Sequence, residues 1–151
     1  MQYTWSSPGL AASERHVRAH AEQRERHGVA PWTVVERASG DVIGWGGLSV
    51  DPDEPEWGVE VVYFVRRDHW GRGIASEIVE AALDHGFAGM ELEAIGAFAR
   101  PANAASLRVL EKAGFQLLSY VERLERNHYM LRREHWLERR EPRAGAVGSP
   151  T

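Results

Sequence analysis

The sequence predicts one α/β domain with a mixed, mostly antiparallel sheet, and three stretches carry that prediction. Residues 32–50 read as two strands joined by a turn. Residues 57–83 read as a strand that runs through a glycine turn into an apolar helix, and residues 103–134 as a short helix followed by a hairpin. Strand-like and helix-like segments alternate within 151 residues, 43% of them hydrophobic and 26% charged, which suits a single core.

Each element has a local reason. Ser7-Pro8 reads as an N-cap with proline in the first helical turn, and Leu10, Val17 and Ala21 then recur at helical spacing until Gly28 ends the run. This helix is polar and suits a surface. "WTVVER" (32–37) and "VIGWGGLSV" (42–50) flank the turn "ASGD", so they form a hairpin. "DPDEPE" (51–56) is an acidic loop, and "WGVEVVYFV" (57–65) has the β-branched and aromatic content of a central strand. Ile74, Ile78, Val79, Ala82 and Leu83 make one helical stripe. "ELEAIGAFA" (91–99) is a further strand and "NAASLRVLEKAGF" (103–115) a helix that Gly114 ends, with Phe115 folding back on Leu110. "QLLSYVERL" (116–124) and "RNHYMLRRE" (126–134) close the domain as a hairpin. The domain is expected over 1–137, with a disordered tail over 138–151 rich in charge, Gly, Pro and Ala.

Several function classes drop out. There is no cysteine, so disulfides, thiolate metal sites and cysteine nucleophiles are excluded. The net charge is −4 and no basic face emerges, which argues against nucleic acid. No apolar run approaches a membrane span and the N-terminus does not read as a signal peptide, so a cytoplasmic protein is expected. His16 and His20 stand one helical turn apart, but no third ligand is evident and no metal is expected. Trp32, Trp45 and Trp57 read as core or pocket wall.

The stretch "DHWGRGIASEI" (68–78) needs a physical cause, because two glycines at a helix start weaken the helix. A strand, a glycine turn and a helix N-terminus together make an anion site, since the first-turn N–H groups and the helix dipole both favour phosphate. Neither G-x-x-x-x-G-K-[ST] nor G-x-G-x-x-G is present, position 76 being serine, so two common nucleotide motifs are absent. A tight strand-to-helix turn without a ligand is the plainer alternative.

The order of the remaining motifs resembles the GNAT superfamily of acetyl-CoA-dependent N-acetyltransferases, in the branch similar to the ribosomal-protein alanine N-acetyltransferases. The pattern [QR]-x-x-G-x-[GA] reads Trp70-Gly71-Arg72-Gly73-Ile74-Ala75, with tryptophan in the first place. N-x-x-S reads Asn103 to Ser106, and E-K-x-G-F reads Glu111 to Phe115. The resemblance runs from about residue 30 to residue 133. It implies helices on both faces of the sheet and a central strand pair that splays apart. It also implies that the amides of Gly71, Arg72, Gly73, Ile74, Ala75 and Ser76 hold the pyrophosphate of coenzyme A. Phe64 and Val65 would bond the pantetheine arm as an added strand would, and Asn103 would bond the same arm. The strand and helix that open the domain in this branch have no counterpart before Ser7, so that part of the acceptor site is expected to be missing. The resulting free sheet edge predicts a homodimer.

Acetyl transfer to an amine needs a base for the ammonium, a donor for the oxyanion and an acid for the thiolate. By resemblance Glu60 is the base, although the branch's E-x-G-Y reads Glu60-Val61-Val62-Tyr63 here. The oxyanion donor would be a backbone N–H near Tyr63. Ser106 is the acid, and Tyr129 the alternative. Each has a plainer reading: Glu60 on a solvent face, Asn103 as an N-cap, Tyr129 as a core aromatic. The expected reaction is direct transfer from acetyl-CoA to a primary amine in a ternary complex, the acceptor being a protein N-terminus or a small molecule. A non-catalytic acyl-CoA-binding module is the rival reading.

Overall fold

The structure, a computed structural model, describes residues 10–141, with side chains from Arg18 onward. Four α-helices and six strands occur among the described residues. They run α1 (Leu10–His27), β1 (Trp32–Val35), β2 (Val42–Val50), β3 (Val59–Val65), α2 (Ile74–Leu83), β4 (Ala94–Ala99), α3 (Ala104–Ala113), β5 (Gln116–Val121), β6 (Arg126–Arg132) and α4 (Arg133–Arg140). The strands form one sheet in the order β1-β2-β3-β4-β6-β5. Every pairing is antiparallel except β3 with β4, which run parallel and share a single register pair, Glu60 with Gly96. Beyond that pair the two central strands part, so the splay expected from the family resemblance is present.

Strand alternation sorts the side chains into two faces. Val61 of β3, Leu48 of β2, Ile95, Ala97 and Ala99 of β4, and Tyr129 and Leu131 of β6 join Val79, Ala82, Leu83, Leu110 and Phe115 in the core. Helices α2 and α3 therefore cover this face. The stripe read from the sequence supplies Ile78, Val79, Ala82 and Leu83 as the buried side of α2. Gly46 lets α2 come close, since a Cβ there would lie 2.5 Å from Ile78 Cγ2. Helix α1 lies on the opposite face. Its Gln23 accepts a hydrogen bond from Ser49 Oγ at 3.1 Å, and His20 meets the Trp45 ring edge-on at 5.9 Å.

Most elements fall where periodicity and turn residues put them. Gly28 ends α1 at φ 75°, and Gly114 ends α3 at φ 103° while the Phe115 amide donates to the Leu110 carbonyl. The start of α1 expected at Ser7-Pro8 lies outside the described residues. Two expectations need correction. Residues 91–93 are not strand: β4 begins at Ala94, after a π-helical turn (Asp84–Gly89) extends α2 and buries Phe87 fully. Residues 138–140 are not tail: they belong to α4, anchored by Trp136, which is buried 5.3 Å from the Phe87 ring, and by Arg140 on Asp84 at 2.6 Å. The remainder of the expected tail, 142–151, lies outside the described residues. Trp32 stands on the edge strand β1 as a pocket wall, half-exposed, lining a cavity with Val34, Ile74 and Ile78 and meeting the His85 ring edge-on at 5.5 Å.

Candidate active site

The glycine turn is built for a close approach. Gly71 and Gly73 both take φ 76°, a left-handed conformation that side chains disfavour, and a Cβ at either would point into open space. Gly73 is the N-cap of α2, and no side chain caps the helix. The first-turn amides, Ile74 to Ser76, therefore face outward, as an anion-binding helix start requires. This cradle fits a pyrophosphate. A short 3₁₀ turn (Arg67–His69) braces it from behind. His69 is buried between Asp68, 2.9 Å from Nδ1, and Glu36, 2.7 Å from Nε2. The Arg66 guanidinium and His69 hold the Asp68 carboxyl well below its usual range. Arg72 lies 3.7 Å from the same Glu36 carboxylate, so its charge is tied to the end of β1 as well as exposed at the rim.

The gap between β3 and β4 opens next to this turn. Phase along β3 follows from one bond, the Arg66 amide to the Ile43 carbonyl at 2.7 Å. In an antiparallel ladder the hydrogen-bonded pairs alternate with non-bonded ones. Phe64 and Trp45 are thus a bonded pair, and the N–H and C=O of Tyr63 and Val65 point into the gap. The Trp70 indole already donates to the Val65 carbonyl at 2.7 Å. Of the two residues expected to hold the pantetheine arm, Val65 keeps its N–H in the gap, whereas Phe64 turns its main chain to β2 and its ring to Trp45. Tyr63, rather than Phe64, presents its N–H to the gap, near where the oxyanion donor was expected.

Glu60 and Tyr63 differ by an odd number of positions, so their side chains lie on opposite faces of the sheet. Tyr63 lies on the α2/α3 face, and its hydroxyl donates to Ser106 Oγ at 2.9 Å. Burial pushes the phenol up, an effect that the bond to Ser106 opposes. Ser106 is held in turn by the first turn of α3, where Asn103 is the N-cap and its Oδ1 accepts from the Ser106 amide at 3.2 Å. Tyr129, the alternative acid, is 3% exposed and lies in the core, paired with Ala97 and Leu117. Tyr63 is the hydroxyl the sequence reading passed over. Its signal was the odd spacing from Glu60.

Glu60 lies on the α1 face at the point where the central strands part. Its carboxyl is pushed up to about 7, above all by burial, then by the charges of Asp51 and Glu54, while Arg126 opposes them. The acidic loop thus acts on Glu60 through its field. Around the same spot three rings pack together. Phe98 and His128 stack at 4.6 Å, and Trp57 meets them edge-on at 5.3 and 5.0 Å. Phe98 and His128 are register partners on β4 and β6, a proximity that no local sequence signal reports. Among the described residues no group of three or more His, Asp or Glu side chains could hold a metal ion; the side chain of His16 lies outside them. No helix among them is long and apolar enough to cross a membrane.

A helix start with free amides, a strand edge open beside it and a half-buried carboxylate at the strand fork lie together in one split sheet, an arrangement suited to a nucleotide-bearing arm. A model of the acetyltransferase (GNAT) domain matches residues 1–116, and the chain belongs to that family. It is 33% identical over 85 residues to the "uncharacterized N-acetyltransferase p20" of Bacillus licheniformis, covering 56% of this chain and 47% of that one. The chain spans about half the length of the curated relatives it matches. Among solved structures, the ribosomal-protein-S5-alanine acetyltransferase of Vibrio fischeri superposes with a TM-score of 0.67 at 20% identity, over 87% of this chain and 74% of that one. The aminoglycoside acetyltransferase AAC(6')-Ib in complex with coenzyme A superposes with a TM-score of 0.70 at 18% identity, over 91% and 84%. These two likenesses establish the fold.

Proposed function

We propose that the chain transfers the acetyl group of acetyl-CoA to a primary amine by direct attack in a ternary complex. The observation that carries this reading is the single-pair junction of β3 and β4 at Glu60–Gly96, with the glycine turn at one end of the gap and Glu60 beside it. The amides of the α2 N-terminus would hold the pyrophosphate, and Tyr63 and Val65 would bond the arm. Acetyl-CoA supplies an activated acyl group with a thiolate leaving group.

The residues then divide the proton work across the sheet. Glu60 takes a proton from the ammonium on the α1 face, so the nitrogen lone pair can form the C–N bond. The Tyr63 N–H faces the gap, where oxygen charge would develop as the C–S bond breaks. On the other face Ser106 gives its proton to the sulfur, and the Tyr63 hydroxyl, already donating to Ser106, replaces it. The second proton that the nitrogen sheds as the intermediate collapses is balanced by solvent reprotonating Tyr63. A carboxyl near 7 is suited to a base at neutral pH. With no cysteine in the chain, an acetyl-cysteine intermediate has no carrier. Self-association belongs to the same reading. Among the described residues β1 is an edge strand, and Trp32, Val35 and the adjoining Val42 are exposed.

The test is incubation of the chain with acetyl-CoA and a panel of primary amines, with thiol release and product mass read together. Acetylated amine in step with free thiol is expected. Coenzyme A binding without turnover of any amine would favour the non-catalytic module.

A further inference from the structure

One polar atom near the strand fork is not accounted for by that mechanism. His128 is 7% exposed, and its Nε2 is buried with no hydrogen-bond partner among the described residues. Its ring is clamped by Phe98 and Trp57, so it has little freedom to find one. An unmade bond on a buried polar atom costs free energy, and such atoms often await a ligand. Nε2 is aimed at Gly96: a Cβ built there would stand 3.5 Å from it and 3.8 Å from the Val59 carbonyl. Gly96 is also the register partner of Glu60. Strand alternation puts Glu60, Gly96, Phe98 and His128 on one face, and the missing side chain of Gly96 leaves room beside Nε2 on the face that carries the carboxyl.

We propose that this space is the acceptor subsite, that the acceptor nitrogen sits over Gly96 between Glu60 and His128 Nε2, and that Trp57 and Phe98 take an apolar carbon neck. The ligand class is a primary amine on an unbranched alkyl or arylalkyl chain. The inference rests on the acetyl-transfer reading and goes beyond it by naming the second hydrogen-bond partner of the amine and the chemistry next to it. Three features support the class. A primary ammonium carries enough N–H groups to serve both Glu60 and Nε2 at once. Burial pushes the His128 imidazole down, which leaves a neutral ring that can accept such a bond. Aromatic faces favour both a cation and apolar carbon, whereas a neck bearing hydroxyls would lose solvation against them. The groups around His128 are Arg126 on its own strand, its register partners Phe98 on β4 and Ser119 on β5, Gly96 and Trp57; Glu60 lies on the same face as the register partner of Gly96, and Asp51 and Glu54 act on it from the acidic loop.

Two measurements separate this inference from the reading beneath it. The first needs no turnover: the ring nitrogens of His128 are followed by NMR while phenethylamine or ethanolamine is added to the protein saturated with coenzyme A. Phenethylamine should shift His128 Nε2 at a concentration at least tenfold lower than ethanolamine does. No shift with either amine, whether or not acetyl transfer is seen, overturns the subsite. The second is kinetic. His128→Phe keeps the stacked ring and removes Nε2, so it should raise KM for phenethylamine at least tenfold, with acetyl-CoA affinity within twofold of wild type. His128→Gln, which returns a polar atom near Nε2, should recover part of that loss. Gly96→Ala, whose methyl would fill the space, should raise the amine KM as His128→Phe does. An amine KM within twofold of wild type in folded His128→Phe refutes the role of Nε2. Absence of acetyl transfer together with a saturable His128 shift would instead leave the subsite standing and overturn the enzymatic reading.

Discussion

Glu60→Gln should separate the carboxylate's work in catalysis from its cost to the fold. Burial, aided by Asp51 and Glu54, moves this carboxyl from its ordinary 4.5 to about 7. At 1.36 kcal/mol per pH unit, an ionised Glu60 costs the folded state about 3 kcal/mol at most. Residual solvent contact brings the expected figure to about 1–3 kcal/mol. The sign follows from proton counting. Between pH 4.5 and about 7 the folded protein holds a proton on Glu60 that the unfolded chain has released, so this group's contribution falls as pH rises through that window. Glutamine does not titrate. At pH 5 the variant and the wild type should melt close together. At pH 8 the variant should melt higher by about 2–12 °C, taking roughly 2–4 °C per kcal/mol for a domain of this size. Thermal denaturation of both proteins at pH 5, 6, 7 and 8 reads the difference directly. The same variant should lose acetyl transfer by roughly 10²–10⁴-fold, with the wild-type rise in rate through about pH 7 abolished. A melting difference that is flat from pH 5 to pH 8 would refute the desolvation argument, and an unchanged pH–rate profile would remove Glu60 as the base.

Three further outcomes are expected. Gly73→Asp adds a side chain at φ 76° and a negative charge beside the α2 N-terminus, so acetyl-CoA affinity should fall at least tenfold by calorimetry, and wild-type affinity would sink the phosphate assignment. Ser106→Ala should cut kcat at least tenfold with acetyl-CoA affinity nearly unchanged, and Tyr63→Phe, which keeps the ring but removes the donor to Ser106, should cut it less; rates within twofold of wild type in both would leave proton delivery to solvent. Sedimentation at micromolar concentration should find a dimer that Trp32→Lys dissociates, since a charge on the free edge of β1 opposes pairing, and a monomeric wild type would refute the edge argument.

The local code of the chain was legible without coordinates wherever the physics is local. Gly28 and Gly114 ended their helices because a left-handed residue there needs no partner from elsewhere, and the Ile78–Leu83 stripe named its own buried side through period alone. The glycine turn could be read for the same reason: the free amides of a helix start belong to one short segment. Glu60 and Ser106 were nameable only through resemblance, because a carboxylate in a strand and a serine in a helix are common. What the sequence could not decide depended on pairing between distant strands. Register puts Gly96 beside Glu60 and Phe98 beside His128, and it sets which main-chain groups of β3 face the gap, those of Tyr63 rather than of Phe64. Parity placed Tyr129 in the core and left His128 on the other face with an unpartnered nitrogen. The elevation of Glu60 is likewise tertiary, since burial and the charges of Asp51, Glu54 and Arg126 exist around it only once the acidic loop, β3 and β6 have come together.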